Sequence, residues 1–244
     1  MALPAPVRRM LGRMFERAIS ANERSIVTLA AHAANGRAAL TLCDLGCGDG
    51  RLTQAVAHAV NASRVVAVET QEPNVESVRA RGFEVNESDL NGRLDLPSDS
   101  FDIVVSNQVI EHLYETDVFL AEVFRITKPG GTAIISTENA ASWHNVAALL
   151  IGWQPFSLTN ITAKEGGVGN PLAFFSGEEG AVFAMQHHRI LALRALVELI
   201  RLHGFEITAV RGAGYYPLPA GIGNIDRRHA HFITVAAHKP VVSS

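Results

Sequence analysis

A glycine-rich turn is the first feature of the sequence that could do chemistry. The apolar run ALTLC (39–43) is followed directly by DLGCGDG (44–50), where glycine takes every second position from residue 46. Glycine weakens a strand, so its use here indicates a tight turn or the close approach of a ligand. A helix that begins after such a turn presents its positive N-terminus to that ligand. We therefore expect Gly46, Gly48 and Gly50 to leave backbone amides open to a nucleotide-like ligand.

The charges around this turn narrow the choice of ligand. The dinucleotide-binding fingerprint requires glycine or alanine three positions after Gly48, and Arg51 stands there instead. Asp44 and Asp49 place negative charge beside the turn, which disfavours a pyrophosphate and favours a cationic ligand. An oxidoreductase that binds NAD is therefore the less favoured alternative.

Two further acidic residues follow predicted strands. Glu69 ends the run RVVAVE (64–69), where a carboxylate can accept hydrogen bonds from both ribose hydroxyls. Asp89 follows the short run FEVN (83–86) and could accept the exocyclic amine of an adenine, with Leu90 against the ring. For Glu69 the less favoured alternative is a solvated acid at the end of a strand, and for Asp89 the alternative is a polar loop residue.

Apolar runs alternate with helical patterns along the chain. The predicted strands are ALTLC (39–43), RVVAVE (64–69), FEVN (83–86), FDIVVS (101–106), TAIISTE (132–138), FEITAV (205–210) and HFITVAAH (231–238). The predicted helices cover 7–33, 51–60, 73–82, 117–127, a short segment in 143–152, and 190–204. KPGG (128–131) is expected to separate a helix from the fifth strand, because proline and glycine end helices.

This alternation predicts an α/β fold with a doubly wound, seven-stranded, mostly parallel sheet of the Rossmann-like kind. Ligands of such sheets bind at the carboxyl ends of the strands. Glycine and proline interrupt any helical pattern between residues 211 and 230. Parallel neighbours need a crossover, which is usually a helix, so we expect the last strand to run antiparallel.

The length of 244 residues favours a single domain, here taken as 1–244. Residues 1–36 read as a helical lead-in, although their basic beginning could also be a transit peptide. Residues 139–189 read as an insert or lid on the substrate side, because a long irregular loop in a compact domain is usually functional or disordered. The sequence contains no apolar run long enough to span a membrane.

Composition indicates the class of partner and the cellular compartment. The net charge is −3 and the pI is near 6.4, without a dominant basic stripe, so no nucleic-acid partner is expected. Cys43 and Cys47 cannot build a disulfide scaffold, and further ligands for a zinc site are missing nearby. We expect a cytoplasmic protein. The oligomeric state is open, and a homodimer is one alternative.

The motifs taken together resemble those of class I S-adenosylmethionine-dependent methyltransferases. The resemblance rests on DLGCGDG, VVAVE, SDL, FDIVVSNQVIEHL and KPGG followed by TAIISTEN, in consistent order over about 40–140. Beyond residue 140 the chain is loosely similar to the ubiquinone-pathway O-methyltransferases and related type 11 methyltransferases.

The resemblance implies a site for S-adenosylmethionine. Asp44 and the glycine turn would hold the methionine end, Glu69 the ribose, and Asp89 with Leu90 the adenine. Asn107 to Val109 would lie near the sulfonium, whose positive charge agrees with the acidic turn. The full predicted set is Asp44, Gly46, Cys47, Gly48, Gly50, Glu69, Thr70, Asp89, Leu90, Asn107 and Gln108.

The expected activity is methyl transfer to a small molecule, with a hydroxyl oxygen favoured over nitrogen or carbon. A protein that keeps the fold or the cofactor without catalysis is a further alternative. A hydroxyl acceptor benefits from a base, for which histidine is suited near neutral pH. His112, His187 and His188 are the predicted bases, and His144 could line a substrate pocket. Each could also simply pack.

A metal site is not expected. Glu111, His112 and Glu115 could be considered as metal ligands, but their spacing places only two of the three on one helix face.

Overall fold

A seven-stranded sheet organises the fold. The structure is a computed structural model that describes residues 5–173 and 186–241. The strands are β1 (Leu40–Leu45), β2 (Ala62–Val68), β3 (Glu84–Asn86), β4 (Phe101–Asn107), β5 (Thr127–Glu138), β6 (Glu206–Ala213) and β7 (Phe232–His238). The helices are α1 (Ala5–Ala34), α2 (Arg51–Ala59), α3 (Glu72–Ala80), α4 (Thr116–Ile126), α5 (Trp143–Leu150) and α6 (Leu193–Leu202). Among the described helices, none has the length and hydropathy needed to cross a lipid bilayer.

The sheet has the strand order β3-β2-β1-β4-β5-β7-β6, and its last strand is antiparallel. β1 pairs in parallel with both β2 and β4, and further parallel pairs join β2 to β3 and β4 to β5. The segment from β6 to β7, which the structure describes throughout, contains a 3-10 turn at Ala220–Asn224 and no α-helix. Without a helical crossover the chain returns antiparallel. The predicted fold class is confirmed.

The fifth strand is longer than the sequence pattern predicts. β5 begins at Thr127 and runs through the KPGG segment, which was expected to lie between a helix and a strand. The register with β4 shifts between Phe101 and Ile103, so the pairing is irregular here. A Cβ on Gly131 would lie only 3.0 Å from the Asp102 carbonyl oxygen. Glycine is therefore needed because two backbones approach closely within the sheet, and the helix has already ended at Ile126.

The described residues form two compact groups. The first, called the sheet unit, contains 23–136, 197–210 and 234–241. Its core is apolar and includes Ile26 and Ala30 of α1 with Leu42, Ile103 and Ile134 of the strands. The second, called the insert unit, contains 5–22, 137–173, 186–196 and 211–233.

The predicted insert at 139–189 falls within the second unit, except that 174–185 lie outside the described residues. Its helix near residues 143–152 is present as α5. A single domain over 1–244 and a lid function both stay predictions.

A buried lysine stabilises the junction between α4 and β5. Lys239 follows β7 directly, and its Nζ donates to Asp99 Oδ1 at 2.6 Å and to the carbonyl oxygens of Phe124 and Thr127 at 2.7 and 2.8 Å. The same ammonium lies 4.4 Å from the centroid of the Phe124 ring. One cation thus satisfies two carbonyls at the end of a helix.

Replacing this lysine should lower the stability of the fold. Lys239→Met keeps an unbranched apolar side chain but leaves two carbonyls without their donor, and each such loss costs about 1–3 kcal/mol. We expect the free energy of unfolding in urea to fall by about 2–4 kcal/mol. Lys164→Met, at an exposed lysine, should change it by less than about 0.5 kcal/mol. Equal unfolding midpoints for the two variants would contradict this role.

Candidate active site

The three glycines of the turn meet different constraints. All three have positive φ, at +73° for Gly46, +56° for Gly48 and +77° for Gly50. A Cβ on Gly46 would overlap the Val109 side chain, and one on Gly50 would lie 3.1 Å from Arg81 Cδ. A Cβ on Gly48 would have no other atom within 4 Å. Packing therefore requires glycine at position 46, whereas at position 50 the positive φ is the main reason for glycine, and the space above Gly48 is open.

The prediction that the turn leaves its amides open to a ligand is wrong. The amides of Gly46 and Cys47 both donate to the Val68 carbonyl oxygen, at 2.9 and 3.2 Å. The Gly48 amide donates to Glu69 Oε2 at 3.0 Å, and the Gly50 amide donates to the Cys47 carbonyl. The turn closes on the end of β2, so its donors are already used within the protein. An anion would find few amides here.

Glu69 connects the turn to the chain that follows β2. Its Oε1 accepts the amides of Thr70 and Gln71 at 2.8 and 2.9 Å, while Oε2 accepts the amide of Gly48 and, at 3.4 Å, the Asn74 side chain. A carboxylate offers about four lone-pair sites, so these bonds fix its orientation. The buried carboxylate is thereby held against the glycine turn, and its contact with a ribose stays a prediction.

Asp44 is buried at the end of β1 and accepts the Thr53 hydroxyl of α2 at 2.6 Å. Burial raises the pKa of Asp44 to about 6; the bond from Thr53 opposes this, and the charge of Glu69 adds to it. Asp49 instead lies near the surface and holds the Arg51 guanidinium at 2.6 Å. The negative charge of the turn thus comes mainly from the two inner carboxylates.

The predicted adenine residues lie on the loop after β3. Asp89 is exposed, and its carboxylate accepts the Asn91 amide at 2.9 Å, which orders the turn. Leu90 points toward the glycine turn, because a Cβ on Gly46 would lie 3.6 Å from Leu90 Cδ1. The structure therefore brings Leu90, Gly46 and Val109 together, whereas Thr70 is exposed at the end of β2.

The end of β4 carries a strained residue. Asn107 pairs with Ser136 of β5, and the next residue, Gln108, has a φ of +56°. Its amide donates to the Ser136 carbonyl at 2.8 Å, while its side-chain Nε2 is buried without a hydrogen-bond partner. Such backbone positions in non-glycine residues cluster at functional sites. His112 follows in a 3-10 turn, Ile110–His112, and is half-buried.

The other candidate histidines belong to the insert unit. His187 Nδ1 lies 2.7 Å from the Ser157 carbonyl oxygen and 3.9 Å from Glu138 Oε2. Burial, followed by the charges of His187 and Arg189, lowers the pKa of His188. His144 is more deeply buried, and burial together with the charge of His231 lowers its pKa to about 3. His144 is therefore neutral at physiological pH, and its low pKa makes it a weak base.

Three polar residues of the insert unit were not predicted from the sequence. Glu138 ends β5, His231 precedes β7, and Tyr216 follows β6. Burial opposes the ionisation of Glu138, but hydrogen bonding and charge from His231, with the charge of His187, lower its pKa to about 2. The sequence could have indicated Glu138 only through its position as the last residue of the predicted strand 132–138. The partners of Glu138 are 49 to 93 residues away in sequence (His187 to His231), so no local spacing could indicate them.

Residues 43–135 match the family model described as a methyltransferase domain. Over this segment the chain is similar to methyltransferase domains. The resemblance identified from the sequence is thereby confirmed for the part of the chain that contains the glycine turn, Glu69 and the end of β4.

Similarity to curated proteins extends beyond this segment. A "Probable S-adenosylmethionine-dependent methyltransferase" of Mycolicibacterium smegmatis is 32% identical over 207 residues, covering 84% of this chain and 65% of that protein. A ubiquinone biosynthesis O-methyltransferase of Rhodopseudomonas palustris is 31% identical over 121 residues, covering 46% of this chain and 45% of that protein. The chain thus spans between about half and two thirds of the length of these relatives.

A solved structure supports the fold. The S-adenosylmethionine-dependent methyltransferase of Mesorhizobium loti superposes with a TM-score of 0.54 at 21% identity, over 83% of this chain and 92% of that one. At this identity the likeness shows the fold alone.

Asp44 should make the protein less stable as the pH rises. Its pKa in the fold is about 6, against about 3.9 for an unfolded aspartate. Because the pKa of Asp44 is higher in the folded than in the unfolded state, its protonation adds to the free energy of unfolding. This contribution is fully present below about pH 4 and is lost as the pH rises through about 6. Asp44→Asn should remove about 2 kcal/mol of this pH dependence between about pH 4 and 7, as measured by urea unfolding.

Asp95→Asn is the matched control, because it makes the same substitution at an exposed aspartate of the sheet unit. In this control variant the free energy of unfolding should depend on pH as it does in the wild-type protein. Parallel stability curves for Asp44→Asn and the wild type would show that Asp44 does not carry this effect.

Proposed function

We propose that this protein transfers a methyl group from S-adenosylmethionine to a hydroxyl group of a small molecule. One observation carries the choice of cofactor: the amide of Gly48, the central glycine of the turn, is held by the Glu69 carboxylate at 3.0 Å. With Asp44 buried nearby, the turn offers negative charge to a ligand. A sulfonium suits this environment better than the pyrophosphate of NAD.

The residues of the turn fit this cofactor. Open space above Gly48 leaves room for a ligand close to the backbone, while Leu90 offers an apolar surface beside Gly46. We assign the methionine end to Asp44 and the glycine turn, the ribose to Glu69, and the adenine to Asp89 and Leu90. The remaining members of the proposed set are Cys47, Thr70, Asn107 and Gln108.

The chemistry requires alignment and removal of a proton. Bound S-adenosylmethionine supplies a methyl group on a positively charged sulfur. The protein must hold the acceptor oxygen in line with that methyl group, and such positioning can supply much of the acceleration. Gln108, with its strained backbone and buried Nε2, is suited to orient a polar ligand at the end of β4.

A hydroxyl acceptor is supported by the Rhodopseudomonas palustris relative, which is named as an O-methyltransferase. It is also supported by the concentration of imidazole groups in the insert unit, because a hydroxyl needs a base more than an amine does. His112, His187 and His188 stay the proposed bases from the sequence, and His187 is the one whose Nδ1 is fixed by a carbonyl.

Calorimetry tests the cofactor. The protein should bind S-adenosylmethionine and its demethylated product, and Glu69→Gln should weaken that binding by about 10- to 100-fold, since hydrogen bonds to a charged group contribute about 1.5–3 kcal/mol. Glu76→Gln, at an exposed acid of α3, should leave the affinity unchanged. Binding of NAD with similar affinity, or no binding of either sulfur nucleoside, would refute the proposal.

A turnover assay tests the acceptor. A panel of phenols and catechols, including catechol and 4-nitrocatechol, is compared with amines and carbon acids of similar size. We expect release of the demethylated cofactor to depend on a hydroxyl acceptor, and mass spectrometry of the product should locate the methyl group on oxygen. Methylation of amines alone would show that the acceptor atom is nitrogen.

A further inference from the structure

A buried hydroxyl links the first turn of α2 to the end of β1. Thr53 is the third residue of α2, and its Oγ1 donates to Asp44 Oδ2 at 2.6 Å. Thr53 is fully buried, and Asp44 is 2% exposed. Both residues belong to the sheet unit and flank the glycine turn in the chain. The bond therefore joins the two ends of the turn through side chains.

The Thr53 hydroxyl does not make the bond that is common for a threonine at a helix. Such a hydroxyl often donates to the carbonyl oxygen four residues earlier. Thr127, directly after α4, shows this arrangement, because its Oγ1 donates to the Val123 carbonyl at 2.6 Å. For Thr53 the corresponding carbonyl belongs to Asp49.

The Asp49 carbonyl is occupied by other side chains. It accepts the Ser77 hydroxyl of α3 at 3.1 Å, and it accepts Arg81 Nε at 2.8 Å. A carbonyl oxygen has two lone pairs, so both are used. The Thr53 hydroxyl bonds the Asp44 carboxylate instead.

This bond engages one oxygen of Asp44 and leaves the other available. Oδ1 accepts no hydrogen bond from the residues that the structure describes, yet it is not one of their fully buried atoms without a partner. Oδ1 therefore keeps access to a ligand while Oδ2 is fixed. A carboxylate that is held at one oxygen presents the other in a defined direction.

The hydroxyl also favours the charged form of the carboxylate. Burial raises the pKa of Asp44, and the bond from Thr53 acts in the opposite direction. An ionised carboxylate is the form that attracts a cationic group. Thr53 thus supports both the direction and the charge of Asp44.

We propose that Thr53 is a positioning residue for S-adenosylmethionine, because it holds Asp44 so that Oδ1 can bind the ammonium group of the methionine end. The inference rests on the proposed function, in which Asp44 and the glycine turn bind that end of the cofactor. A hydrogen bond between an ammonium and a carboxylate is stronger than one between neutral groups, and it depends on direction. Thr53 itself acts only through Asp44.

Two ligands separate this role from a general effect on the site. S-adenosylhomocysteine, the demethylated product, keeps the ammonium group, whereas its deaminated analogue carries hydrogen in place of the amino group. In calorimetry, Thr53→Val should weaken binding of S-adenosylhomocysteine by about 10-fold and of the deaminated analogue by less than about twofold. Equal losses for the two ligands, or an unchanged affinity for S-adenosylhomocysteine, would overturn the positioning role.

Thr53→Ser tests whether the hydroxyl is the group that matters. Serine keeps the donor and removes only a methyl group. This variant should bind S-adenosylhomocysteine within about threefold of the wild-type affinity. An affinity as low as that of Thr53→Val would assign the effect to packing of the methyl group and would overturn the proposal.

Thr127→Val is the matched control for lost stability. It removes a hydroxyl from another fully buried threonine of the sheet unit, where the lost bond goes to a backbone carbonyl. Its free energy of unfolding should fall, as in Thr53→Val, but its affinity for either ligand should change by less than about twofold. A loss of affinity equal to that of Thr53→Val would show that reduced stability explains both variants.

The results also distinguish this inference from the proposed function. If the wild-type protein binds neither S-adenosylmethionine nor S-adenosylhomocysteine, the proposed function fails. If the wild type binds both and Thr53→Val binds them equally well, only the positioning role of Thr53 fails.

Discussion

The hydrogen bond between the Gly48 amide and the Glu69 carboxylate is the contact on which the candidate cofactor site depends. It joins the turn after β1 to the residues that follow β2, at neighbouring strands of a parallel sheet. It also reverses the electrostatic character usual for a glycine-rich turn, because the amide that could bind a phosphate is already held by an acid. Open space beside Gly48 then borders on negative charge, which suits a cationic sulfur nucleoside.

Burial makes the acids of the two units behave differently. Asp44 has one hydroxyl partner, so burial dominates and its pKa is raised. Glu138 is flanked by two imidazoles, whose hydrogen bonding and charge outweigh burial, so it stays ionised. The number and charge of the partners therefore decide the state of a buried carboxylate.

Much of the fold could be predicted because its signals are local. Apolar runs of strand length, separated by helical periodicity, indicated the parallel sheet, and the absence of a helical pattern before β7 indicated its reversal. The residue at which β5 begins could not be predicted from such local patterns. Pro129 and Gly131 suggest a break in structure, yet they lie within a strand because the backbone of β4 passes close to Gly131.

The sequence by itself determined the order of the elements, the position of the glycine turn and the presence of acids after β1 and β2. These features are properties of short segments, where periodicity and residue type act directly. Only the tertiary structure decided that the turn amides are occupied, that Gly46 is required by Val109, and that Glu138, His231 and Tyr216 meet. Those contacts join residues far apart in the chain, and their geometry follows from packing, which no local pattern specifies.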